Sequence, residues 1–87
     1  MLIDLNSLRS EALLVLQMIK NVQPEAEVIL LTGAETIPLA IQGMRLGAFD
    51  DLMIPVTIEE LLSKIRSARD RFKKTKRLKK ENRAKRP

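Results

Sequence analysis

An α/β fold with a parallel sheet, in the order β-α-β-α-β-α and closing on an extended C-terminal helix, is predicted by three features of the sequence. Short apolar runs rich in branched residues alternate with segments whose apolar residues recur every three or four positions. Gly, Pro and Asn stand at the breaks between them, and the final helical segment continues well past its own apolar residues. Strands that alternate with helices across short connections run parallel and are joined by right-handed crossovers.

Met1 to Leu5 and Val28 to Leu31 read as buried strands. Between them Leu8, Ala12, Val15, Leu16 and Ile19 form one apolar helix face, with Ser7 or Ser10 as the cap and Asn21 and Pro24 closing the segment. A second helix is expected from about Thr36 to Leu46. Pro38 is tolerated in its first turn, and Gly47 supplies a left-handed stop. Ala48 to Met53 reads as a third strand, interrupted by Asp50 and Asp51. Thr57 and Glu60 have the spacing of a capping box, so the third helix starts there. Leu61, Leu62, Ile65, Ala68 and Phe72 give that helix an apolar stripe. Beyond Phe72 the apolar stripe is continued only by Leu78 and Ala84 among many Lys and Arg residues, so the expected division is a domain over 1–72 and a basic helical extension or linker over 73–87, frayed toward Pro87.

Charge divides the chain in the same way. Residues 1–63 carry three basic residues (Arg9, Lys20, Arg45) against nine acidic ones, a net of −6. Residues 64–87 carry 13 Lys and Arg against Asp70 and Glu81, a net of +11. The basic character therefore belongs to the last helix. With neither Cys nor His, the chain lacks thiolate and imidazole ligands for zinc, disulfides, and the imidazole base of hydrolase triads. No apolar run spans a bilayer and Met1 to Asp4 do not read as a signal peptide, so the expected setting is the cytoplasm, without a membrane partner. At 87 residues a chain buries only roughly 60% of its unfolded surface, so a partner would help it fold.

The ordered series Asp4-Leu5-Asn6, Val28 to Gly33, Ala40 to Asp50, Pro55-Val56 and Glu59 to Leu62 resembles the bacterial two-component response-regulator receiver domain, from its third strand onward. Arg77 to Arg83 is similar to the helix that links receivers to output domains. The resemblance implies a three-layer, flavodoxin-like fold. It places Asp4 at the phospho-acceptor position and Thr32 at the hydroxyl position, and it implies a cis bond before Pro55, where an ordinary trans turn is the alternative. It also implies a magnesium ion, because phosphoryl transfer develops charge that a metal and a cation must neutralise.

The chain departs from that pattern at the groups that do the chemistry. The first strand with its acidic pair is absent, the lysine before the proline is Ile54, and the aromatic switch position holds Asp51. Ser7-Leu8 replaces Met-Pro, and Arg9 stands at a loop glycine. The expectation is therefore a module without enzymatic activity, needing no cofactor and taking magnesium only if phosphorylation is retained. On this reading Asp4 is a strand-end carboxylate that caps the following helix or meets water, Thr32 serves the turn, and Asp50 and Asp51 are solvated.

Receiver strand order is 2-1-3-4-5. A sheet beginning at the third strand exposes the edge Met1 to Leu5, with the first two helices on one face and the last alone on the other. An uncovered edge strand is a template for pairing, so the expected partner is a second copy, with docking to a signalling protein as a further role. Lys73, Lys74, Lys76, Arg77, Lys79 and Lys80 could bind anions, and a dimer presenting basic helices to nucleic acid is the rival reading. It is disfavoured by the absence of Trp and Tyr and of a helix-turn-helix pattern.

Overall fold

The computed structural model describes residues 1–84. Three parallel strands, β1 (Leu2–Asp4), β2 (Ile29–Thr32) and β3 (Asp50–Met53), lie in that order across one sheet. Helix α1 (Leu5–Leu8) follows β1 directly, and α2 (Glu11–Val22) returns the chain to β2. A 3₁₀ turn, Ala34–Thr36, then leads into α3 (Ile37–Arg45), and after β3 the chain ends in α4 (Ile58–Ala84).

Alternation along β2 decides which face each helix covers. Val28 and Leu30 point into a cluster with Ile3, Leu5, Ala12, Leu16 and Ala40, closed by α2 and α3. Ile29 points the other way, to Leu52 and to Ala68 of α4, with Leu31, Phe49, Val56 and Leu61 around them. The result is the expected three layers, with two helices on one face and one on the other.

Several boundaries differ from the sequence reading. The first strand is shorter than Met1 to Leu5, because Leu5 turns inward and is fully buried at the start of α1. The single first helix becomes two, because Arg9 sits at φ 52° and breaks the helical run. Ser10 precedes α2 without a side-chain cap, and Ser7 donates instead to Asp4. Asp50 rather than Ala48 begins β3. Elsewhere Pro38 lies in the first turn of α3, and Gly47 follows that helix at φ 105°. Thr57 Oγ1 accepts the Glu60 N–H at 3.1 Å at the head of α4.

Helix α4 is continuous through the boundary expected at residue 73, and its basic half is tied to the body. Lys79 Nζ donates to Glu25 at 2.5 Å, and Arg71 lies 3.6 Å from Glu27 and 5.5 Å from the Phe49 ring centre. The loop that offers these two glutamates is held in turn by Lys20, whose Nζ donates to the carbonyls of Pro24 and Ala26. Fraying toward Pro87 lies outside the described residues.

Candidate functional site

In an open parallel sheet, ligands are met beyond the carboxyl ends of the strands. Asp4, Thr32 and Ile54 all reach that end. The register sets Asp4 beside Leu31 and Thr32 beside Met53, and the Ile54 N–H donates to the Thr32 carbonyl at 2.7 Å. The fold thus gathers the residues singled out in the sequence, while the chemistry of each is directed elsewhere.

Asp4 closes α1. One carboxylate oxygen accepts the Asn6 N–H at 2.9 Å and the other accepts the Ser7 hydroxyl at 3.0 Å. Such a cap satisfies amides that the helix cannot pair and stabilises it by about 1 kcal/mol. Thr32 is 1% exposed, and its hydroxyl shares a 2.8 Å hydrogen bond with the Thr36 hydroxyl. Thr36, fully buried, also lies 3.0 Å from Asn6 Oδ1 and accepts the Gly33 N–H at 2.9 Å. Thr32, Thr36, Asn6 and Gly33 therefore form one internal network that locks the β2 turn against α1. A Cβ at Gly33 would come within 3.0 Å of the Asn6 amide, so the turn leaves no room for a larger residue unless Asn6 moves. The sequence shows Asn6 only within the Asp4-Leu5-Asn6 series and Thr36 only as a helix start; the threonine repeat at positions 32 and 36 is the one local signal of their network.

Magnesium does not fit these residues. The ion asks for oxygen ligands in near-octahedral geometry, and both oxygens of the one carboxylate present are engaged in capping. Among the described residues no group of three Asp or Glu side chains could hold a metal. Ile54, 38% exposed, brings no cation, and the Ile54–Pro55 bond is cis. Asp51 is exposed on β3 beside Leu30, away from Thr32, with its N–H bonded to the side chain of Asp50.

Asp50 has a definite role. Partial burial raises its pKa, but the hydrogen bond from Lys64 and the Asp51 amide outweigh that effect and hold it below the ordinary value of 3.8. The same hydrogen bond raises the Lys64 ammonium above its usual 10.5. The pair pins α4 to the β3 edge. At the same amino-terminal end of the strands, the hydrogen bond from Lys79 lowers the pKa of Glu25 as well.

The opposite flank of α4 is open. Met1, Leu2, Ala26 and Ile29 on one side and Ile65, Ala68 and Phe72 on the other line an apolar hollow of about 410 Å³, with Glu27 and Arg69 at its rim. Along the same flank Ile58 is 74%, Leu62 43% and Ile65 38% exposed. Lys73, Lys74, Lys76, Arg77, Lys79 and Lys80 lie on solvent-facing turns further along the helix. Among the described residues no helix is long and apolar enough to cross a membrane.

No protein-family model matches the chain. It is 41% identical over 54 residues to an uncharacterized transcriptional regulatory protein, YkoG, of Bacillus subtilis, a match covering 62% of this chain and 24% of that protein. Among solved structures, the receiver domain of NtrX from Brucella abortus superposes with a TM-score of 0.68 at 29% identity, over 77% of this chain and 57% of that one. An adenylate cyclase from Rhodopirellula baltica reaches a TM-score of 0.84 over 98% of this chain and 63% of its own, and at 20% identity it shows the fold alone.

Proposed function

We propose, from the premise that the chain is receiver-like and corresponds to a response-regulator receiver from its third strand onward, that it is a docking module of two-component signalling. In this reading it pairs with a second copy, performs no phosphoryl transfer or other enzymatic step, and works in the cytoplasm. The observation that carries the proposal is the open flank of α4, where Ile58, Leu62 and Ile65 stand exposed beside an apolar hollow. Helical residues of this kind are normally covered, because parallel sheets are stable when both faces are closed.

Surface area supports the same reading. A compact monomer of 9.9 kDa exposes about 5,200 Å². This chain exposes 6270 Å². The excess is of the same order as the area a standard interface buries, about 800 Å² per partner. β1 lies at the edge of the sheet and adds unpaired backbone, with Leu2 42% exposed.

Two outcomes test the two halves of the proposal. Sedimentation should give a dimer at micromolar concentration, and a monomer would remove the docking role. Incubation with acetyl phosphate and magnesium should leave the mass unchanged, whereas a gain abolished by Asp4→Asn would restore the phospho-acceptor. The nucleic-acid reading draws on the six exposed cations of α4, but one of them, Lys79, is already engaged by Glu25. A gel shift persisting from low to moderate salt would favour it.

A further inference from the structure

The exposed flank of α4 has an internal order that specifies how two copies meet. Ile58, Leu62, Ile65, Arg69 and Phe72 are spaced by four, three, four and three residues, the repeat that keeps one seam of a helix facing a partner helix. They sit one step around the helix from Leu61, Lys64, Ala68 and Thr75, which are covered wholly or in part by the body. On the solvent side of the seam Glu59, Arg66 and Lys73 follow at intervals of seven, all exposed.

We propose that two copies pair through this seam with their α4 helices antiparallel, centred near Ile65. This rests on the dimer proposed above and adds its polarity and register. Parallel helices would set Arg69 against its own copy within the apolar seam, where an unpaired charge is costly to desolvate. Antiparallel helices centred near Ile65 bring Ile58 of one copy to Phe72 of the other, since each lies seven residues from the centre. Arg69, four residues past the centre, then falls beside Leu62, three residues before it, with its charged end free to reach water past the rim. The same reversal brings Glu59 of each copy toward Lys73 of the other, two opposite-charge pairs related by the two-fold axis. The seam begins at Ile58, 74% exposed, and ends at Phe72, which lines the hollow beside β1. A partner helix laid along it would cover both.

The chain contains no cysteine, so a single introduced thiol can bridge only between copies. Under mild oxidation Ile65→Cys should give a covalent dimer, and Ile58→Cys should not. An equal mixture of Ile58→Cys and Phe72→Cys should give mixed dimers. Self-bridging by Ile58→Cys as complete as that of Ile65→Cys would establish parallel helices and overturn the inference. A dimer by sedimentation that none of the thiols bridges would overturn it too, while leaving the proposed function standing; a monomer would overturn both. A charge exchange checks the register without altering the apolar seam. Glu59→Lys should weaken dimerisation about fivefold, and Glu59→Lys with Lys73→Glu should recover it. Failure of the double variant to recover would count against the Glu59–Lys73 pairing.

Discussion

The sheet has two faces made of similar residues and closed to very different extents. Under α2 and α3, Leu5, Leu16, Val28 and Leu30 are all 0% exposed. Under α4, Ile29 is 1% exposed, Leu52 7% and Ala68 6%, while Ile65 on the same helix stands 38% exposed at the edge of an open hollow. Strand composition does not distinguish the faces, since β2 supplies Leu30 to one and Ile29 to the other. The number of covering helices does. Two helices close a three-stranded parallel sheet; one helix leaves a flank that water, a ligand or another chain must meet.

That comparison sharpens first at the closed face, where the largest effect is expected. Leu16→Ala should cost about 2–5 kcal/mol, because the removed atoms leave a cavity with no route to solvent. Ile65→Ala on the open flank should cost well under half as much in the dilute monomer, yet weaken self-association. Chemical denaturation at low and high protein concentration reads both values, and equal costs would abolish the distinction.

A smaller effect belongs to Gly43, buried in α3 against the closed face. A Cβ there would lie 2.5 Å from Leu30 Cδ1, and Leu30 is itself fully enclosed. Gly43→Ala should therefore destabilise by about 1–3 kcal/mol despite the better helix propensity of alanine. Thermal melting with unchanged or raised stability would mean that Leu30 has room to move.

Arg9 offers a change of opposite sign. Its φ of 52° is a conformation that costs a residue with a Cβ about 1–3 kcal/mol. Its contact with Glu35 is a 3.7 Å ion pair between largely exposed side chains, of little compensating value. Arg9→Gly should raise stability by about 1 kcal/mol and Arg9→Ala should not. Equal behaviour of the two variants would show that backbone strain is not the cause.

The smallest effect is expected from acid. Asp50 has its pKa lowered in the folded chain, so its contribution is present above the ordinary value of 3.8 and is lost as pH falls through the folded value. Asp50→Asn should therefore flatten the fall in melting temperature below about pH 4, with little change near neutrality. An unchanged acid limb would mean that the Asp50–Lys64 contact contributes nothing.

Much of this architecture is legible in the residues themselves. Branched apolar runs mark the three strands, and helical periodicity with Pro38, Gly47 and Thr57 marks the helices. The right-handed crossover rule alone assigns the helices to faces. What is not legible depends on contacts between distant residues or on backbone angles. The sequence places Asp4 and Thr32 at strand ends, but the hydrogen bonds that engage them come from Ser7, Asn6 and Thr36, and only folding brings Asn6 to Thr36, 30 residues away. The ion pair between Glu25 and Lys79 spans 54 residues, so composition suggests a basic extension where the fold has a helix fastened to its body. The split of the first helix escapes periodicity because one residue, Arg9, turns the backbone.

Analytical ultracentrifugation across a dilution series tests the central claim that the open α4 flank is covered by a second copy. Twice the chain mass of 9.9 kDa at micromolar concentration is expected, with dissociation on dilution or in Leu62→Lys. A folded, compact species of 9.9 kDa at every concentration would contradict it.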